Sequence, residues 1–586
     1  MAEEKVLTGY PSIDKPWLKW YCEENKKWYV KKCKMHEYIY EKNKAHMDDT
    51  ALIYMGKKYT YQKLFENIDK VASAFHSMGI CEGDKVAVCS ITTPEIIYSI
   101  YGLNKLGVTV NLLEPRNNAE RIRDYLLMSN CEYMIMLDIC YPKIQSIAQD
   151  TKLKKIIVVS PIDSASFVYK VGYQITDKKS KICFGGMYEN WKEFLKRADH
   201  LENVPSAPYD DKRPAVIVYT GGTTGVPKGA MLSDDAINHI SAFARISTCI
   251  GEERQEDFLG IMPPFIAYGL CCGIHGPLSV GNRLIVIPNF KPENFKNLVL
   301  RYKPNHFIGV PSFFEELANY SKNVNLSFIK CAIAGGDKMS LNVECKVNEF
   351  FQKANCTKKI QKGYGMTEMS SAVVITTDLC NKLGSVGIPL IGNVAKIVDC
   401  ETGEELTYGK QGELCISTPT TMLGYLDNDE ETKRVIEVDR DGNKWVHTGD
   451  IAYIDEDGCI FIIDRMKRMI IRPDGHNVFP SQIETVIMSC DAVEKVAVVG
   501  MLDEKGSSGK WPIAYIVLKS EHKANEEQIR KEIIEHMNKK LPERDKAEKI
   551  FYVDDLPLTP IGKIDYRKLE EMCESVQNNI EGTVMH

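Results

Sequence analysis

Apolar residues recur along this chain in two rhythms that alternate. Short β-branched runs bounded by turn residues predict buried strands at Lys85–Cys89, Val108–Leu112, Tyr133–Leu137, Lys155–Val159 and Pro214–Val218. Between them, helical spacing predicts helices over 60–78, 94–106 and 119–128, the first ended by Gly79. The alternation resumes after residue 228, with a helix over 235–246 and strands at 258–262, 306–309 and 331–334. Strands and helices in this order predict an α/β fold with a layered, largely parallel sheet. Residues 10–60, rich in Trp and Tyr among charges, read as an irregular or helical arm packed on the body, and 160–212 as weakly patterned excursions. Asp455–Gly458 reads as a hairpin turn, and 480–570 as helix, strand, strand, helix, strand, a smaller α+β module.

Composition narrows the classes without naming one. The 586 residues are 44% apolar and 26% charged, which suits an ordinary globular protein with ample core. A net charge of −6 gives no general attraction to nucleic acid or to an anionic membrane. The 19 cysteines include no C-x-x-C pair, so neither a zinc ribbon nor a dithiol redox site is indicated, and a reducing, cytoplasmic compartment is expected. The start of the chain lacks a basic segment followed by an apolar core, so no secretory signal is read there. The longest near-apolar stretch, 270–287, is interrupted by His275, Pro277, Asn282 and Arg283, so no integral membrane segment is expected.

Candidate chemistry concentrates between two strand-like runs. Thr220-Gly221-Gly222-Thr223-Thr224-Gly225 leads through Val226-Pro227 to Lys228. Glycines let backbone N–H groups face a ligand, while threonine hydroxyls add donors and lysine adds charge, a combination suited to a polyphosphate. As plain sequence, such a cluster also makes a surface loop. A P-loop is excluded, because it needs Gly-Lys followed by Ser or Thr opening a helix. Here Gly229-Ala230-Met231-Leu232 is another strand-like run.

This loop resembles the ATP-phosphate loop of the adenylate-forming (AMP-binding) superfamily, of acyl-CoA synthetase type, with Gly221 where that family usually has Ser. The chain carries four specific motifs in family order, and the resemblance covers about residues 50–570. Pro263-Pro264-Phe265-Ile266-Ala267-Tyr268 is similar to the acyl-pocket segment, with Ile266 replacing the common His and no Asp to pair with a substrate ammonium. The resemblance places Val310 along that pocket, with Gly335, Gly336 and Asp337 bringing backbone near acyl group and adenine, and Gly363 beside them. In Tyr364-Gly365-Met366-Thr367-Glu368 it implies a Tyr ring on adenine, a Thr hydroxyl on phosphate and a Glu carboxylate on Mg²⁺. Met422–Tyr425 continues it as part of a small barrel-like β region, and Asp450 corresponds to the carboxylate on the ribose hydroxyls.

Arg465 corresponds to a ribose contact and Lys467 to a hinge residue, so the resemblance implies an N-terminal AMP-binding domain over 1–464, a hinge over 465–467 and a mobile C-terminal domain over 468–586. The stretch 472–477 departs from the family's Gly-Gly-x-Asn pattern, leaving Gly475 as the pantetheine-facing turn. Pro557-Leu558-Thr559-Pro560-Ile561-Gly562-Lys563 resembles the last motif, whose lysine serves adenylation. The implied activity is ATP-dependent activation of an apolar carboxylic acid to acyl-AMP, then thioester formation with coenzyme A. Loading of an acyl carrier protein and a nucleotide-binding pseudoenzyme are the alternatives.

Overall fold

A computed structural model describes residues 7–176, 182–199, 204–220, 228–248, 250, 253–288, 290–502, 509–557 and 564–573. The chain divides into two compact units. The first comprises Met1–Ala395, Cys415–His447 and Asp455–Ile460; the second comprises Lys396–Leu414, Thr448–Ile454 and Phe461–His586.

The first unit is built on two large sheets. In the eight-stranded sheet the order is Gly424–Tyr425, Lys228–Ser233, Pro214–Thr220, Thr109–Leu113, Lys85–Cys89, Tyr133–Leu137, Lys155–Val159 and Tyr188–Asn190. From Pro214–Thr220 onward the neighbours run parallel, so both faces are covered and the strands read as continuous apolar runs. Helices Pro94–Lys105 and Ala119–Ser129 form where expected, each opened by a side-chain cap from Thr93 or Asn118. One face of this sheet and its helices share a core that includes Cys89, Ile122, Met134, Met136 and Ile144.

The nine-stranded sheet runs Ile388–Pro389, Ser371–Ile375, Gln361–Met366, Cys331–Ala334, His306–Gly309, Asp257–Gly260, Arg283–Val286, Thr50–Tyr54 and Lys57–Thr60. Its last two strands correct the reading of 10–60 as an irregular or helical arm. Thr50–Tyr54 lies parallel to Arg283–Val286, and Lys57–Thr60 folds back on it. The stretch 160–212 is likewise more ordered than its weak pattern suggested, holding helices Phe167–Thr176 and Trp191–Lys196 around strand Tyr188–Asn190. Residues 268–279 form a π-helix, Tyr268–His275, and a short α-helix, Gly276–Ser279. Among the described residues no helix is long and apolar enough to cross a membrane.

Strands Val394–Val398, Gly412–Ser417, Ile436–Val438, Lys444–Ile454 and Ile460–Arg465 supply the small β region. Gly424–Tyr425 does not belong to it. That pair extends the eight-stranded sheet, antiparallel to Lys228–Ser233.

In the second unit, Val493–Leu502, Lys510–Leu518 and Lys549–Tyr552 form a three-stranded sheet with helices Pro480–Met488 and Glu526–Lys540. This is the order expected for 480–570. Alternate residues of the sheet feed two cores, Val496 and Val498 packing with Ile483, Ile487 and Ile533, and Ala497 and Val499 with Leu556 and Leu569.

Candidate active site

Most of the residues singled out in the first unit sit at or just beyond the carboxyl ends of parallel strands. Thr220 ends Pro214–Thr220, Val310 follows His306–Gly309, and Gly335 follows Cys331–Ala334. In open α/β sheets ligands bind in the crevice outside those ends. Gly221, Gly222, Thr223, Thr224 and Gly225 lie outside the described residues, as does Lys563. The flanks of the glycine-rich loop are nevertheless fixed, because Thr220 and Lys228 are paired across the antiparallel strands that enter and leave it.

Lys228 joins a cluster of four side chains. Its ammonium is paired with Glu431 and stands 5.3 Å from the ring centroid of Tyr425. The Tyr425 hydroxyl donates to Glu368 Oε1 at 2.5 Å. Burial and the neighbouring carboxylates of Glu368 and Glu431 push the Tyr425 phenol upward, so it stays a donor. Glu431 is shared with Arg434, and these two cations hold its carboxyl below the usual range. Tyr425 belongs to the eight-stranded sheet and Glu368 follows the Gln361–Met366 strand of the other, so one hydrogen bond ties the carboxyl edges of the two sheets together.

The turn bearing Thr367 and Glu368 is strained and anchored. Thr367–Met369 is a single 3₁₀ turn, and Ser370 and Ser371 follow with φ of 59° and 144°. Ser370 Oγ donates to Thr420 O at 2.8 Å, and Met422 N donates to Glu368 O at 2.9 Å. Gly365 lets the strand pass its neighbour here, since a Cβ would lie 1.8 Å from Ser371 O. Tyr364, just before it, pairs with Val374, and the register shifts between Tyr364 and Gly365.

The residues named for the acyl pocket converge. A Cβ on Gly335 would stand 3.2 Å from both Tyr268 Oη and Gly363 O, and one on Gly336 would stand 3.8 Å from Val310. Gly336 has φ of 78°, which lets the backbone turn away past Tyr268. The Tyr268 hydroxyl donates to Ile333 O at 3.4 Å, and burial raises its phenol well above the ordinary value. Phe265 and Ala267 are buried, while Ile266 is half-buried. Asp337 is exposed and accepts from Lys338 N.

Within the second unit, buried Asp450 is paired with exposed Arg465 at 3.0 Å. Lys467 lies in the 3₁₀ turn Met466–Arg468, next to Arg468, which bonds Glu484 at 2.6 Å and covers the Tyr566 ring. Gly475 takes φ of 79° in the turn between Ile470–Ile471 and Asn477–Val478, so the departure at 472–477 is a closed hairpin turn. Arg472 caps that turn by stacking on Trp511 and donating to Arg544 O. Asp565 N donates to Pro557 O at 2.8 Å on either side of the undescribed segment that contains Lys563.

Sequence reading missed Glu431 and gave Tyr425 no chemical role. Glu431 meets Lys228 across 203 positions, so no local spacing reports the pair. A Gly-Tyr ahead of an acidic helix start was the available signal for Tyr425.

The chain matches the model of the AMP-binding enzyme family over residues 39–426, and that of the AMP-binding enzyme C-terminal domain over residues 482–563. It is 30% identical over 549 residues to a long-chain-fatty-acid–CoA ligase of Bacillus subtilis (strain 168), covering 91% of this chain and 93% of that one. Identity to probable 4-coumarate–CoA ligase 1 of Dictyostelium discoideum is 29%, covering 88% and 90%. ATP-bound MatB from Rhodopseudomonas palustris has the same fold, with a TM-score of 0.78 at 22% identity over 93% of this chain and 100% of that one. The chain belongs to the AMP-binding enzyme family, and is an adenylate-forming enzyme of acyl-CoA synthetase type.

Proposed function

We propose that this protein uses ATP to activate an apolar carboxylic acid, fatty or aryl, and transfers the acyl group to coenzyme A. The observation that supports it best is the joining of Lys228, Tyr425 and Glu368 at the carboxyl edges of the two sheets. Those edges also hold the pocket of Tyr268, Val310, Gly335 and Gly363. The segment Phe265–Tyr268 offers that pocket no carboxylate, which disfavours an amino acid as substrate.

In this reading the acid's carboxylate attacks the α-phosphate of ATP, releasing pyrophosphate and leaving acyl-AMP. The coenzyme A thiol then attacks the acyl carbon and AMP leaves with the bonding pair. Lys228 holds phosphate charge at the end of the glycine-rich loop, and the Tyr364 ring offers a stacking face for adenine. Glu368, an oxygen donor oriented by Tyr425, is the residue that would hold Mg²⁺. That ion, when bound, neutralises phosphate charge. Asp450 accepts from the ribose hydroxyls, with Arg465 alongside. Lys563 meets the charge that builds at the α-phosphate, and the segment beyond the 465–467 hinge moves between the two half-reactions.

AMP release across a panel of acids, with and without coenzyme A and with products identified by mass, tests this reading. Turnover that depends on coenzyme A and yields an acyl-CoA supports it. Adenylate without thioester points instead to a carrier protein as acceptor, and no adenylation with any acid points to a pseudoenzyme. Lys563→Ala is expected to lower adenylation by about two orders of magnitude or more, while sparing thiolation of supplied acyl-AMP. Equal loss of both steps would contradict that division of labour.

A further inference from the structure

Glu431 lies in the first turn of a short helix, Asp429–Val435, and its carboxylate turns to the base of the glycine-rich loop and pairs with Lys228. The pair is partly shielded, with side-chain exposures of 21% for Lys228 and 24% for Glu431. A lysine that is to bind a polyphosphate already has an anion of its own. Lys228 cannot hold this carboxylate and a phosphate oxygen at full strength together, because the two anions repel across the same ammonium. The other oxygen of Glu431 is paired with Arg434. Glu431 therefore keeps a cationic partner when Lys228 departs, and the exchange leaves no lone carboxylate behind. Lys228 in turn stays beside the Tyr425 ring, a neutral surface over which an ammonium can swing.

We propose that Glu431 is a resident counter-anion that occupies Lys228 until a nucleotide polyphosphate displaces it, and so sets the affinity for ATP. The inference rests on the reading of Lys228 as a phosphate ligand and adds a regulator to that site. Its effect grades with phosphate charge: strong for ATP, weaker for AMP and absent for adenosine. Arg434 acts in the opposite sense, because it competes with Lys228 for the same carboxylate.

Calorimetric titration of the full chain with ATP, AMP and adenosine, Mg²⁺ present throughout, tests the proposal. Glu431→Gln is expected to tighten ATP about three- to tenfold, AMP by less than about twofold and adenosine not at all. Arg434→Gln is expected to weaken ATP about two- to threefold. Unchanged or weaker ATP binding by Glu431→Gln overturns the proposal and makes the glutamate a positioning group for the lysine. Equal tightening of ATP and adenosine also overturns it, since that pattern reports a general change of the pocket. If the wild type and both variants bind adenosine but not ATP, the phosphate role of Lys228 fails and the proposal falls with it.

Discussion

The Tyr425 hydroxyl donates to the Glu368 carboxyl group at a buried position, the setting in which one hydrogen bond contributes most. A bond of that kind is worth about 1.5–3 kcal/mol, and here it fixes the orientation of the only acidic group in the Thr367-Glu368 turn. Tyr425→Phe keeps the ring under Lys228 and removes the donor. The expected result is a loss of about tenfold or more in kcat/KM, a higher Mg²⁺ concentration for half-maximal rate and an unchanged KM for the acid. An unaltered Mg²⁺ titration would mean that Glu368 is held without the tyrosine. At this scale the sequence was informative where chemistry sits inside one motif, as with Tyr364 to Glu368. It was silent where two elements distant in sequence meet. Lys228 was nameable from its own loop, whereas its partner Glu431 required the Gly424–Tyr425 strand to be placed in the correct sheet.

Elements were legible in proportion to the apolar runs that build them. The five central parallel strands of the eight-stranded sheet are buried on both faces, so continuous Val, Ile and Leu identified them within a residue or two. Lys57–Thr60 escaped because it is an edge strand with two exposed lysines, recognisable only by its pairing with Thr50–Tyr54. The π-helix Tyr268–His275 also carries no periodic signal, since one extra residue per turn breaks the 3.6 rhythm. It nevertheless sets the pocket, presenting Tyr268 to Gly335 while Gly269 presses on the preceding loop. A Cβ on Gly269 would stand 1.9 Å from Pro263 O, backbone that has no flexible end to yield. Gly269→Ala is therefore expected to destabilise the protein by about 2–4 kcal/mol and, in the folded fraction, to raise KM for the acid several-fold more than KM for ATP. Thermal unfolding together with KM for both substrates checks it, and a proportional rise in both would assign the effect to general loosening.

Buried titratable groups in the first unit pull its stability in opposite directions with pH. His275 is fully buried and His36 half-buried, and desolvation holds both rings neutral, each with its pKa lowered to about 3. Unfolding lets them take protons, so their cost to stability appears as pH falls below about 6.5. Two buried acids work from the other side. Burial raises Asp234 to about 6 and Glu95 to about 7, and both carboxyl oxygens of Glu95 are buried without a hydrogen-bond partner among the described residues. A carboxyl whose folded pKa lies above its unfolded value of about 4.5 holds its proton more tightly when folded. Its contribution is complete below about pH 4.5 and is lost as pH rises through about 7. Glu95 sits fully buried in the first turn of Pro94–Lys105, where Thr93 already caps Ile96 N. Glu95→Gln keeps the shape and removes the ionisation. The variant is expected to match the wild type near pH 5 and to exceed it near pH 8 by on the order of 1–3 kcal/mol, a rise of a few degrees in Tm. The difference between variant and wild type is the informative quantity, because the two histidines and Asp234 contribute equally to both proteins and cancel. Calorimetric Tm values at pH 5 and pH 8 decide it. A difference of the same size at both pH values would show that Glu95 stays in one protonation state across the range, and that its burial has no bearing on the protein's pH profile.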